Sequence, residues 1–107
     1  MSKIFAQLID AVKRGEVRIS EHGYDELSQD DLSARVVLDG IDRALVLEDY
    51  PDFPKGACVL VLQTDQDGEP VHVVWGIPKG RTSPAVLVTA YRPDPERWEA
   101  NFTRRRQ

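Results

Sequence analysis

Moving a proton at neutral pH is work that histidine does most readily, because its unperturbed pKa lies at about 6.5. The chain has two histidines, His22 and His72, in different settings. His72 sits in the run VHVVWGIPKG, where strand alternation puts Val71, Val73, Trp75 and Ile77 on one face and His72, Val74 and Gly76 on the other. Ionising a buried imidazole is unfavourable without a partner, so this placement implies either a fixed hydrogen bond or an opening to solvent. His22 falls in the first turn of a short helix, SEHGYDEL, where a neutral ring can serve as base or ligand. Both stand as catalytic candidates beside the plainer readings of a satisfied core histidine and an idle surface one.

A phosphate substrate would need cations near those rings. The second half of the chain supplies them in Tyr91, Arg92, Arg97, Trp98 and the run Arg104 to Arg106, with Lys79 and Arg81 in the preceding turn. On a sheet-plus-helix scaffold these residues can hold a phosphate while a histidine exchanges a proton with a ribose hydroxyl or a leaving oxygen. That is a ribonuclease layout. In the plainer account Trp98 and Phe102 pack a last helix, and the arginines are solvated or paired with acids. Residues 1 to 69 hold 7 Lys and Arg against 15 Asp and Glu, a balance of −8, and residues 70 to 107 hold 7 against 3, a balance of +4. The net charge of −4 gives no general attraction for nucleic acid, so RNA binding has to rest on the second half.

Other chemistries are poorly supported. The two histidines lie 50 residues apart with no further histidine or cysteine at ligand spacing, so no metal and no cofactor is expected. Cys58 lies in the apolar run ACVLVL, the setting of an inert buried thiol. No serine sits in a Gly-x-Ser-x-Gly elbow, and GIPKG lacks the spacing and terminal hydroxyl residue of a phosphate-binding loop. Glu48 and Asp49 are neighbours in a strand and point to opposite faces, so they cannot share a proton and read as a solvated strand end.

Hydrophobic spacing sets the elements that carry these groups. Ser2 suits an N-cap, and Ile4, Phe5, Leu8, Ile9 and Val12 form one apolar stripe, so a helix runs from there to Lys13, Arg14 and Gly15. Val17 and Ile19 alternate in a short strand leading into Ser20, a second N-cap. Ser28 and Asp31 have the spacing of a capping box ahead of Leu32, Val36 and Val37, which predicts a third helix ending near Asp39 and Gly40. Beyond it, Leu45 to Tyr50, Ala57 to Thr64, Val71 to Ile77 and Ala85 to Tyr91 read as strands, with Asp67 and Gly68 turning a hairpin. Asp94 to Arg106, with Trp98 and Phe102 four apart, predicts a closing helix. The expectation is an α+β fold in a single domain, residues 1–107, with N-terminal helices packed on an antiparallel sheet of about four strands and a C-terminal helix.

No apolar run approaches the roughly 20 residues of a membrane span. The N-terminal stretch has an acidic residue and a helical period where a signal peptide has an unbroken apolar block, so a cytoplasmic location away from membranes is expected.

Four stretches, RISEHGYDEL, VLEDYPDFPKG, CVLVLQTDQDGEPVHVVWGIPKG and SPAVLVTAYRPDPERW, together resemble the bacterial family called domain of unknown function 4258 (DUF4258). The resemblance extends over nearly the whole chain after the first helix and is carried by His22, Glu48 to Pro51, His72 to Val74, and Tyr91, Pro93 and Trp98. It implies a small α+β domain. Through a fold-level similarity to the ribonuclease toxins of bacterial toxin–antitoxin pairs, it also suggests a metal-independent ribonuclease. In that reading His72 and His22 transfer protons, Tyr91, Arg92, Lys79 and Arg81 bind substrate, and the partners are RNA or an antitoxin-like protein. The alternative is a non-catalytic interaction module, with a homodimer among its forms, whose acidic half or open strand edge meets another protein.

Overall fold

A serine hydroxyl starts each α-helix of the computed structural model, which describes residues 2–106. Ser2 accepts from the Phe5 amide (3.0 Å) at α1, Lys3–Lys13, and Ser20 from the Gly23 amide (2.9 Å) at α2, Glu21–Gln29. Ser33 accepts from the Val36 amide (3.4 Å) at α3, Ala34–Asp39. Each satisfies an amide that a helix N-terminus leaves without a partner. The first two caps are those read from the sequence, and the third corrects it. Ser28 and Asp31 end α2 instead of starting α3: Asp31 takes a left-handed φ of 53°, and the Leu32 amide returns to the Leu27 carbonyl (2.7 Å). Leu27 and Leu32 are both buried, which is the apolar pairing that accompanies this kind of helix stop.

Five strands, β1 (Val17–Ile19), β2 (Leu45–Tyr50), β3 (Cys58–Thr64), β4 (Pro70–Gly76) and β5 (Ala85–Tyr91), form one sheet in the order β1-β5-β4-β3-β2. The class is α+β as expected. The sheet itself is a correction, because it has a fifth strand and β1 runs parallel to β5 while the other pairs are antiparallel. Three residues show little alternation, and a hydrophobic pattern names no pairing partner. The β3–β4 hairpin forms where Asp67 and Gly68 placed it, with Gly68 at φ 79° and the Asp65 carboxylate accepting from the Asp67 and Glu69 amides (2.8 and 2.9 Å).

One face of the sheet presents Val59, Val61, Val71, Val73, Trp75 and Leu87 to Leu8, Ala11, Leu27, Val37 and Ile41. Gln63 is the polar member of this core: Trp75 Nε1 donates to its Oε1 (3.0 Å), and its Nε2 donates to the Val37 carbonyl (2.7 Å). The link satisfies buried groups on both the sheet and α3. Gln63→Leu leaves the indole N–H and the carbonyl unpaired and is expected to lower unfolding stability by about 1–3 kcal/mol in a urea titration. An unchanged urea midpoint would exclude the link as a source of stability.

The C-terminal segment departs furthest from expectation. Residues 94–106 form no helix; Trp98 and Arg105 pair in an isolated antiparallel bridge, closed by the Glu99 amide on the Arg104 carbonyl and the Arg106 amide on the Arg97 carbonyl (both 2.8 Å). The four-residue spacing of Trp98 and Phe102 imitates a helix stripe. However, Pro93 and Pro95 restrict the residues before them, and an isolated helix this short is marginal in water. Burial of Trp98, which keeps only 4% of its surface exposed, decides the conformation instead. No described helix is long and apolar enough to cross a membrane.

Candidate functional site

Alternate strand positions face away from the helices, and there the sheet carries its polar groups. The cross-strand pairs on this outer face are Leu62 with His72, Leu60 with Val74 and Cys58 with Gly76, continued onto β5 by Tyr91, Thr89 and Val86. On β2 the register shifts between Val46, opposite Val61, and Glu48, opposite Leu60. Strict alternation would leave Glu48 on the side of Val46, so the extra residue, Leu47, turns Glu48 and Tyr50 to the outer face. Asp49 points the other way and accepts from the Ser2 hydroxyl (2.8 Å), as expected for adjacent acids in a strand.

The C-terminal segment covers part of this face. The Trp98 ring stands edge-on to His72 at 4.3 Å, with Tyr91 at 5.6 Å, and the Phe102 carbonyl lies 2.8 Å from His72 Nε2. A carbonyl can only accept, so Nε2 carries the proton, and Nδ1 has no partner among the described residues. His72 is fully buried, and that burial pushes its pKa below the ordinary histidine value against the raising effect of the Phe102 bond. Arg105 lies over Trp98, its guanidinium carbon 4.7 Å from the ring centroid. From there it donates to Glu48 through Nη2 (3.1 Å) and Nε (3.4 Å), and the Tyr50 hydroxyl donates to the same carboxylate.

Electrostatics separate the roles in this trio. Hydrogen bonds from Arg105, then from Tyr50, hold the Glu48 carboxyl below the usual carboxylate range. Burial, and after it the bond to Glu48, raises the Tyr50 phenol. The result is an ionised carboxylate, a protonated phenol and a guanidinium in one hydrogen-bonded group, with the Arg105 side chain 60% exposed and that of Glu48 35%. Such a group contains a base, an acid and an anion-binding fork.

Cavities flank the trio in a row. Tyr50 lines a groove of about 610 Å³ with Phe53, Lys55, Arg18 and His22. Arg105 lines a cleft of about 300 Å³ with Tyr91, Arg92, Asp94, Arg97 and Trp98, where Arg97 Nε lies 3.9 Å from the Asp94 carboxylate. A third cavity of about 330 Å³, which holds Lys79 and Arg81, shares Phe53, Gly56, Ile77 and Pro78 with the groove. The sequence-predicted residues are thus spread along a track and not gathered at one point. His72 and Tyr91 adjoin each other under the cleft, His22 lies on the groove with its Nε2 3.4 Å from Glu26, and Lys79 and Arg81 mark the far end. Arg92 lines the cleft but is held by Asp65 (2.8 Å), while its amide donates to Asp30 (2.9 Å).

Sequence reading missed the trio of Glu48, Tyr50 and Arg105. The available signal was the strand end from Glu48 to Pro51, one of the stretches that carry the family resemblance; the bulge that turns Glu48 outward has no mark in the sequence. Among the described residues, no group of three or more histidine, cysteine, aspartate or glutamate side chains is placed to hold a metal ion.

No curated protein and no solved structure matches the chain. The family model that does match is described as Domain of unknown function (DUF4258) and spans residues 19–92, from the end of β1 to just past β5. Because that match takes in more than half of the chain and the whole of strands β2, β3, β4 and β5, the protein belongs to the DUF4258 family.

Proposed function

We propose that the protein is a metal-independent ribonuclease acting on single-stranded RNA, with Glu48 as base, Tyr50 as acid and Arg105 on the scissile phosphate. The observation that carries this reading is the hydrogen-bonded Glu48, Tyr50 and Arg105 group between an arginine-lined cleft and an open groove. Glu48 takes the proton of a ribose 2′-hydroxyl as the 2′-oxygen bonds to phosphorus. The bond from phosphorus to the 5′-oxygen breaks, and Tyr50 protonates that oxygen. The proton on Glu48 then returns to Tyr50 along their hydrogen bond, leaving a 2′,3′-cyclic phosphate and a free 5′-hydroxyl. Arg105, with Arg97 nearby in the cleft, neutralises the charge that builds on the phosphate oxygens.

In this scheme His72 is a positioning residue. It holds the Phe102 carbonyl and supports Trp98, on which Arg105 rests. His22, Tyr91, Arg92, Lys79 and Arg81 lie along the track on either side, where a strand's further phosphates and sugars pass. Glu48→Gln is expected to lower RNA cleavage by about 100-fold or more while the protein still unfolds in one cooperative transition, in line with loss of a general base. A lowered Glu48 pKa and a raised Tyr50 pKa keep the rate level from weakly acidic pH to well above neutrality. A rate that instead bends between the ordinary carboxylate range and about 6.5 would assign the proton transfer to the buried His72. Equal cleavage by parent and Glu48→Gln would overturn the scheme.

One observation favours a second reading as an interaction module. Among the described residues strand β2 pairs with β3 alone, and Leu45 on it is 53% exposed, so its outer edge can accept a partner strand. A partner that co-purifies equally with the parent and with Glu48→Gln, in the absence of any RNA turnover, would support it.

A further inference from the structure

The geometry points to a nucleobase subsite in the groove beside Tyr50, with Lys55, Arg18 and His22 at its rim meeting the adjoining phosphate; this rests on RNA being the substrate. Among the described residues, the charged ones lining the groove are Arg18 and Lys55, joined by His22, and none is acidic, in a chain of net charge −4. The rim therefore selects an anion where the protein as a whole does not.

The floor is apolar, built from Val74, Val86 and Val88 around Gly76 and Cys58. Burial raises the Cys58 thiol and keeps it protonated, so the floor offers no charge and no strong acceptor. Gly76 does not have the positive φ of Gly15, Gly56, Gly68 and Gly80, so its backbone does not call for glycine. An added Cβ would meet the Val88 Cγ2 at 3.4 Å and the Ala57 carbonyl and Cys58 Cβ at 3.6 Å, which is ordinary contact. What glycine provides here is room. Phe53, 54% exposed, and Tyr50 supply aromatic faces at the edge of that room. Stacking on rings over an apolar floor recognises the flat face of a base and tolerates sequence. Tyr50 belongs to both the groove and the Glu48 group, so a base seated here is the neighbour of the scissile phosphate.

The test is binding of a fluorescent RNA hexamer methylated at every 2′-oxygen, which cannot be cut. Gly76→Val, which fills the groove from a strand position, and Phe53→Ala, on an exposed loop residue, are each expected to weaken binding about tenfold, in keeping with the loss of one stacked base. Lys55→Glu is expected to weaken binding and to flatten its dependence on salt. A nucleoside 5′-monophosphate that displaces the hexamer from the parent, and binds Gly76→Val more weakly, places the base and its phosphate together in the groove. If Gly76→Val and Phe53→Ala bind like the parent while Glu48→Gln still abolishes cleavage, the subsite is wrong and the ribonuclease reading stands. A parent that neither binds the hexamer nor cuts RNA overturns both.

Discussion

Gly56→Ala is expected to destabilise the fold by about 3 kcal/mol or more, against about 1–2 kcal/mol for Gly68→Ala. Both glycines have positive φ, 136° and 79°, so each substitution carries backbone strain. Only Gly56 adds a collision, because a Cβ there would lie 2.0 Å from the Ile77 carbonyl oxygen and 2.7 Å from the Lys79 amide nitrogen, whereas nothing lies within 4 Å at Gly68. Those neighbours are backbone atoms and cannot swing aside. They also tie the loop before β3 to the segment after β4, through the Ile77 amide on the Ala57 carbonyl (3.0 Å) and the Lys79 amide on the Lys55 carbonyl (3.2 Å). Gly56 lines the groove as well, so whatever Gly56→Ala protein folds is expected to bind the RNA hexamer poorly. Urea titrations of the two variants side by side make the check, and a difference of less than about 1 kcal/mol would contradict the collision argument.

Trp98→Ala is expected to remove about 3 kcal/mol or more and, with it, the acid sensitivity that the buried His72 imposes. Trp98 is the main cover of His72, and its ring also seats Arg105. In the parent, burial lowers the folded-state pKa of His72 from the ordinary 6.5, so the folded state favours the neutral ring. As the pH falls below 6.5 the unfolded chain takes up the proton first, and stability drops until the pH passes the lowered folded value, with a slope of at most about 1.4 kcal/mol per pH unit. Removing the cover lets solvent reach the ring and returns its pKa towards the ordinary value, which flattens that slope. Urea stability at several pH values, with His72→Phe as the variant that cannot titrate, isolates the contribution. A parent and His72→Phe of equal slope would show that His72 is not the acid-sensitive group. If Trp98→Ala leaves the RNA cleavage rate unchanged, Arg105 does not need its seat and the positioning role fails.

Local sequence carried much of the fold because each local choice had one cheap outcome. Ser2 and Ser20 precede apolar stripes and cap α1 and α2, and Asp67 with Gly68 closes a hairpin whatever surrounds it. The same spacing rule failed at Ser28 and Asp31, since polar residues there can either begin a helix or end one, and the buried pair Leu27 and Leu32 settled the choice. It failed again at Trp98 and Phe102, where two aromatic residues four apart pack on the sheet from a reversed chain and not from a helix.

The candidate site was legible only in part. Alternation correctly set His72 on the face opposite Trp75, yet it could not show that a segment some thirty residues later would bury it under Trp98 and Phe102. Glu48 was read as solvated because its outward turn depends on a bulge at Leu47, and its partner Arg105 lies 57 residues away.

By itself the sequence determined the types of α1 to α3 and β1 to β5, the face of His72 opposite Trp75 and the uneven distribution of charge, all of which follow from neighbours a few residues apart. The tertiary structure alone decided the parallel placement of β1, the burial of His72 and the meeting of Glu48, Tyr50 and Arg105. Those depend on long-range packing and on one extra residue in a strand, whose energies no local pattern contains.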